Sequence, residues 1–275
     1  MRTRFAGAIV VALLLGASLS AGQGVRGRGG RQGFGGRPAA YATAGDFTGG
    51  FQFCRLVFRN GPNGDGGGWN VDWPRADENL SVRLSELSRT PVSMDANRRP
   101  MPLLLNLRQP EVFHCPVLIM TEPGGALFDN EEVANLRKYL LKGGFLWADD
   151  FWGEYAWDYW ENQLRRVMPS GQFPITDVPT THVIFHEMFT LRELPQIPSI
   201  GNWDGADRTW ERPDARQAHL RAISDDRGRI MVLMTHNTDF GDSYEEEATD
   251  PDYFMKFSVP GYAFGINVLV YAMTH

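Results

Sequence analysis

The sequence predicts an α/β fold: a mostly parallel sheet with helices on both faces. Two observations lead there. Apolar runs of strand length alternate with segments of helical periodicity along most of the chain. One of those runs, "PVLIMTE" at 116–122, is apolar without a break, as a central strand buried on both faces requires.

The elements follow in order. "FQFCRLVF" (51–58) reads as the first strand, and the Gly-rich loop "RNGPNGDGGGWNVDWP" follows it. In "ADENLSVRLSELSRT", Leu80, Leu84 and Leu87 recur at helical spacing, with Asp77 as the expected N-cap. "PVSM" and "PLLLNL" are short strand candidates. "DNEEVANLRKYLLKGG" is the best-marked helix. Asp129 and Glu132 form a capping box, Val133, Leu136, Leu140 and Leu141 make the buried stripe, and Gly143 ends it. "FLWADD" is the next strand, and "EYAWDYWENQLRRVM" is a helix that stops before Pro169. Beyond about residue 170 the pattern loosens. "HVIF" reads as a strand, 195–218 as an inserted loop, and "LRAISDDRGRIMVLMTH" as two strands turning at Asp226-Arg227-Gly228. "PGYAFGINVLVYAMTH" is apolar enough for a buried terminal helix.

The N-terminus has a different composition. Residues 1–23 carry Arg2 and Arg4, then an uncharged apolar run, then small residues, which is the pattern of a secretory signal peptide. Residues 24–40 are mostly Gly, Arg and Gln, with too little apolar surface to offset ordering entropy, so a disordered linker is expected. That leaves 41–275 as one domain in an exported protein, periplasmic or extracellular, and no later segment reads as a membrane span. The chain's net charge is −6, and residues 1–38 hold six arginines and no acid, so the remainder carries −12. An acidic domain excludes nucleic acid as the natural partner, since phosphates need a basic face. An envelope protein or a small ligand is the expected partner.

There are two cysteines, Cys54 and Cys115, each at the start of an apolar run. If those runs are neighbouring parallel strands, the sulfurs lie at similar depth. In an oxidising compartment they are a candidate disulfide; two free buried thiols are the alternative.

Four stretches, "RLVF", "EEVANLRKYLLKGGFLWADD", "MTHNTDFGDSYE" and "GINVLVYAMTH", resemble an uncharacterised bacterial family, domain of unknown function 4159. The resemblance covers about residues 50–275. It implies a flavodoxin-like fold of the class I glutamine amidotransferase type, and no established activity. In active amidotransferases a strand after a Gly-Gly turn delivers a nucleophilic Cys on a tight elbow. Here "GGFLWADDFWGE" occupies that place with Asp149 and Asp150, and the partner His-x-Glu is missing, since His186 and Glu187 are adjacent. Cys54 and Cys115 sit at strand starts, the opposite end of the sheet. The resemblance therefore implies a catalytically degenerate domain, not an enzyme, with a binding or assembly role at the envelope.

The rival reading is a divalent-metal-dependent hydrolase built on two acidic loops. Asp149 and Asp150 at a strand's carboxyl end, with Glu154 as a third donor, either ligate a hard cation or cap the following helix. "HNTDFGDSYEEE" offers His236, Asp239 and Asp242, then Glu245 to Glu247, in no EF-hand or zincin spacing. No cofactor is required by any motif; a divalent cation is the one candidate. The two readings separate on whether the loops meet in space. The rings between 145 and 160 recur at helical spacing, with Trp152, Tyr155, Tyr159 and Gln163 in one row and Ala156, Trp160 and Leu164 in another, and both rows read as core; a sugar-binding surface is the alternative and needs at least two rings from 147–160 exposed on one side.

Overall fold

The computed structural model describes residues 40–275. The expected signal peptide and most of the expected linker lie outside the described residues.

In chain order the elements are β1 (Cys54–Leu56), β2 (Arg59–Asn60), α1 (Arg75–Ser88), β3 (Leu103–Leu105), β4 (Val117–Thr121), β5 (Ala126–Leu127), α2 (Asn130–Leu141), β6 (Phe145–Phe151) and α3 (Gly153–Val167). Then come β7 (Thr176–Asp177), β8 (His219–Ser224), β9 (Ile230–His236), α4 (Phe240–Glu245), α5 (Pro251–Tyr253) and α6 (Val259–Thr274). Seven strands form one sheet in the order β3-β1-β4-β6-β9-β8-β7, and β2 pairs with β5 in a small ribbon. Strands β3, β1, β4, β6 and β9 are parallel; at one edge β8 pairs antiparallel with β9, and β7 antiparallel with β8. The chain leaves β1 toward β3 and then returns to the other side of β1 for β4. In open α/β sheets ligands bind at the strands' carboxyl ends beside such a reversal.

Both faces of the sheet are buried, and strand alternation divides the core in two. Leu56, Leu118, Met120, Leu146 and Ala148 pack with Leu136 and Leu140 of α2 and Trp160 and Leu164 of α3. Phe53, Val117, Ile119, Phe145 and Trp147 pack with Leu80 and Leu84 of α1, Phe240 of α4 and Phe264 and Val268 of α6. Side chains two apart share a face, so each strand feeds both cores. This is why the runs read as continuously apolar.

Helix α2 has the capping box its sequence announces: Asp129 accepts from the amides of Glu131 and Glu132, and Glu132 returns to the Asp129 amide. Three expectations are corrected. Asp77 does not cap α1. The helix starts earlier, after Pro74, and Asp77 is buried inside it against Arg55. "HVIF" is not a strand; Val183–Phe185 is a 3-10 turn capped by the His182 ring. In the row Trp152, Tyr155, Tyr159, the two tyrosines do not enter the core. The Tyr155 hydroxyl donates to Asn63 O, and Tyr159 lies against Gly61, so this row meets the Gly-rich loop. Tyr155 is exposed, Trp152 is buried beside Asp150, and the row Ala156, Trp160, Leu164 enters the core.

The expectation of no further segment with the length and apolarity of a membrane span is also corrected. The terminal helix runs back through a π turn at Phe254–Ser258 to Pro251, giving a continuous helix over Pro251–Thr274 that meets both criteria. More than half of its apolar window is buried against the sheet, α1 and α4, so its apolarity serves the core.

Cys54 and Cys115 are joined by a disulfide between β1 and the residue leading into β4, with Cα atoms 6.2 Å apart. These strands are parallel neighbours, with Cys54 opposite Leu118. The bridge closes a separation of 61 residues. Replacing both cysteines by Ser is expected to cost about 2–4 kcal/mol by freeing the unfolded chain. Thermal melts check this: the double variant and the dithiothreitol-treated wild type should fall together. Equal melting with and without reductant would contradict it.

Candidate functional site

Side chains from four loops meet at the carboxyl ends of β1, β4, β6 and β9. The loop after β1 and β2 brings Asp72, the turn after β4 brings Glu122, the end of β6 brings Asp149 and Asp150, and the segment after β9 brings Asp239, Asp242 and Glu245. Asp72, Asp149, Asp150, Asp239 and Asp242 are all buried.

Local structure explains how each arrives. A strand alternates its side chains, so adjacent aspartates should point to opposite faces. The pairing of β6 with β9 slips between Ala148 and Phe151, and Asp150 takes a left-handed conformation at φ 58°. Bulges of this kind re-aim side chains beside functional sites, and Asp is among the residues that tolerate the left-handed region. The two neighbours then take different partners. Asp149 is held within the protein: Oδ1 accepts from Thr235 Oγ1 (2.5 Å), and Oδ2 accepts from the amides of Phe240 (2.9 Å) and Gly241 (3.2 Å). It secures the start of α4. Asp150 accepts from Trp152 Nε1 at 3.0 Å and faces Asp72 and Asp239.

Asp72 is also left-handed, at φ 61°, and its carbonyl accepts the Ala76 amide at the start of α1. Its Oδ2 is buried with no hydrogen-bond partner. Gly241 packs directly on that oxygen, and a Cβ there would overlap Asp72 Oδ2 and press on Asp239 Oδ1. Asp239 caps α4 by accepting the Asp242 amide at 2.7 Å. Asp242 Oδ2 accepts the Ile200 amide at 2.5 Å, tying the irregular segment 195–218 to the cluster. Glu122, left-handed at φ 51°, accepts the Gly68 amide at 2.5 Å from the Gly-rich loop.

One oxygen from each of Asp72, Asp150 and Asp239 lies within 4.8 Å of the others, and the same holds for Asp72, Asp242 and Glu245. The electrostatics match this crowding. Burial raises the Asp72 pKa well above the ordinary carboxylate range, with the charges of Asp242 and Glu245 adding to it. Asp150 is raised well above that range by burial, then by Glu122 and Asp72. Asp239 is raised by burial, then by Asp150 and Asp72. Burial pushes Asp149, Asp242 and Glu122 each up to about 7. Among the described residues Arg55 is the one buried Lys or Arg, and it is committed to Asp77.

The loops read from the sequence therefore meet, through Asp150, Asp239 and Asp242. Two sequence candidates lie elsewhere. Glu154 is exposed on the first turn of α3, where its amide donates to Asp214 Oδ2. His236 points away from the carboxylates. Thr235 reaches Asp149, so His236, one residue on, faces the other side of the sheet. There its ring stacks on Phe151 at 4.9 Å, and Nε2 lies 3.0 Å from Gly153 O, which fixes the proton on Nε2. Burial lowers its pKa to about 4, with the nearby Arg221 charge acting the same way. His186 contacts Thr180 O, and Glu187 pairs with His275, both apart from the cluster.

Sequence reading missed Asp72 and Glu122. The available signal was positional: each is an acid that follows a strand read as parallel, and the carboxyl-edge rule applies to every such loop.

Comparison with curated proteins finds no match. The family model of the domain of unknown function DUF4159 matches residues 53–273, which span every element of the sheet and all of the carboxylate cluster, and the chain belongs to that family.

Proposed function

We propose that this domain binds a hard divalent cation in the carboxylate cluster around Asp72, and that the cation serves ligand recognition in an exported envelope protein. The observation that carries the reading is Asp72 Oδ2, a carboxylate oxygen buried without any partner. An unpaired buried acceptor costs about 1–3 kcal/mol, and more when charged. Its neighbours within 4.8 Å are other carboxylates, which cannot satisfy it unless protonated. A cation relieves both the missing bond and the mutual repulsion. The donor set is all carboxylate oxygen, which suits Ca²⁺, Mg²⁺ or Mn²⁺ and not a soft metal.

The amidotransferase-like ancestry belongs to this reading. Asp150 occupies a left-handed turn at the end of a central strand, the place where a nucleophile would stand in that fold. A carboxylate there serves as a ligand where a thiolate would attack. The hydrolase alternative keeps the same cation and adds water activation; the exported, binding role needs only the cation.

The test is thermal melting and calorimetry of EDTA-stripped protein. A cation at a hundredfold excess over its Kd adds about 2.7 kcal/mol of stability, so Tm should rise by roughly 5–10 °C for a domain of this size. Asp150→Asn and Asp239→Asn should weaken binding at least about tenfold, or roughly 1.4 kcal/mol. Asn at 239 still caps a helix, so α4 should survive the change. If no divalent cation moves the melt of the stripped protein, the reading fails.

A further inference from the structure

We propose that the centre holds two divalent cations, with the Asp72 carboxylate shared between them; this rests on the cation reading above. The carboxylates fall into two triads. Asp72, Asp150 and Asp239 form the inner one, and Asp72, Asp242 and Glu245 the outer one. Ligand oxygens of one calcium-sized ion lie about 2.3–2.6 Å from it, so two of them are at most about 5 Å apart. Each triad, spanning 4.8 Å, fits a single ion. Among the described residues no group brings all five carboxylates within that span, so one ion does not serve them all.

Asp72 is placed for sharing. Its Oδ2 is the unpartnered buried oxygen, and it lies against Gly241, on the side where Asp239 Oδ1 also approaches. One of its carboxyl oxygens also lies within 4.8 Å of a Glu245 oxygen. One carboxylate therefore addresses both triads. The missing Cβ at Gly241 leaves the space between Asp72 and Asp239 clear.

The outer triad has its own reason to need an ion. Asp242 and Glu245 are three residues apart on α4 and share a face, where like charges are destabilising. The Ile200 amide partly offsets Asp242, and Arg75 lies close enough to moderate Glu245. Arg55 belongs to Asp77 and offers neither its full charge. A single cation in the inner triad leaves this pair only partly compensated. The triads also differ in depth. Asp150 and Asp239 are buried, as is Asp242, whereas Glu245 of the outer triad is only half-buried. The inner ion is held by buried ligands and binds first. The outer ion binds next to an existing positive charge, more weakly, and exchanges with solvent.

Mn²⁺ is the probe. Calorimetric titration of the stripped full chain should saturate at two ions per chain in two steps, and electron paramagnetic resonance should show a spin-coupled pair when the second site fills. Glu245→Gln changes a half-exposed side chain and leaves the inner triad intact. It should remove the weaker step and the coupled signal while the tighter step persists. Asp150→Asn should instead weaken the tighter step. Saturation at one ion, unaltered by Glu245→Gln, overturns the two-ion centre and leaves the single-cation reading standing. Two ions without spin coupling also overturn it, because Asp72 would then not be shared. No Mn²⁺ binding at all overturns both readings together.

Discussion

Replacing Arg55 by Met is expected to destabilise the domain by about 3–5 kcal/mol, the range for breaking a buried ion pair from one side. Arg55 is 1% exposed, on β1 next to the sheet's reversal point. Its Nε donates to Asp77 Oδ2 at 2.9 Å, and Nη2 pairs with Asp77 Oδ1. Nη1 donates to Thr121 Oγ1 (2.7 Å), Val71 O (2.9 Å) and Trp69 O (3.1 Å). The side chain thus fixes α1 to the sheet and holds the loop carrying Asp72. Removing it leaves Asp77 charged in the core with no partner, and three further acceptors unsatisfied. For a domain of this length the loss corresponds to roughly 6–20 °C in Tm. The double variant Arg55→Met with Asp77→Leu should recover part of that loss, because an apolar pair of similar size often replaces a buried ion pair at little cost. It should not recover cation binding, since the Asp72 loop loses its anchors. A loss under about 1 kcal/mol for Arg55→Met, a value normal for exposed pairs, would refute the structural role given to this residue.

In chelator, the protein should be more stable near pH 5 than near pH 8, and saturating cation should erase or reverse that slope. The sign follows from the carboxyl groups at the site. Asp149, Asp242 and Glu122 are held near 7 in the folded state by burial, against about 4 for an ordinary carboxyl group in an unfolded chain. Asp72, Asp150 and Asp239 are shifted the same way, also by burial first. Between about pH 4 and 7 the native state therefore binds more protons than the unfolded state, and stability falls as pH rises. Above pH 7 the cost of burying the charges keeps growing as these groups ionise. His236 acts in the opposite sense. Its pKa is lowered to about 4, so its neutral form adds stability that is lost as pH falls below about 6.5. His182 and His219 are lowered by burial in the same way, so three histidines oppose six carboxyl groups, and the net slope stays negative and is steepest above pH 6. Cations and protons compete for the same oxygens, so the Tm gain from cation should grow from pH 5 to pH 8. A chelated protein that melts higher at pH 8 than at pH 5 would show that these carboxylates ionise without penalty.

Much of the architecture was written in local pattern. The Asp129–Glu132 capping box marked α2, the Asp226-Arg227-Gly228 turn marked the β8–β9 hairpin, and the continuous run at 116–122 marked a strand covered on both faces. Such signals span a few residues and rest on periodicity, capping and turn chemistry, so the sequence alone determined them, along with the acidic character of the domain and the acids at the ends of β6 and β9. It misplaced Asp77 because a residue with good capping chemistry also serves as a buried partner, and the arginine that claims it lies 22 residues away on β1. It grouped His236 with the acids because chain proximity does not reveal which face of a strand a side chain takes; the bond from Thr235 to Asp149 decides that. Only the tertiary structure decided that Asp72, from a loop after the first strand, completes both carboxylate triads with acids 78 to 173 residues further along. Parallel strands place all their carboxyl ends on one edge whatever lies between them in the chain. Distant loops therefore converge there, and the burial that follows gathers scattered acids into a single crowded carboxylate cluster.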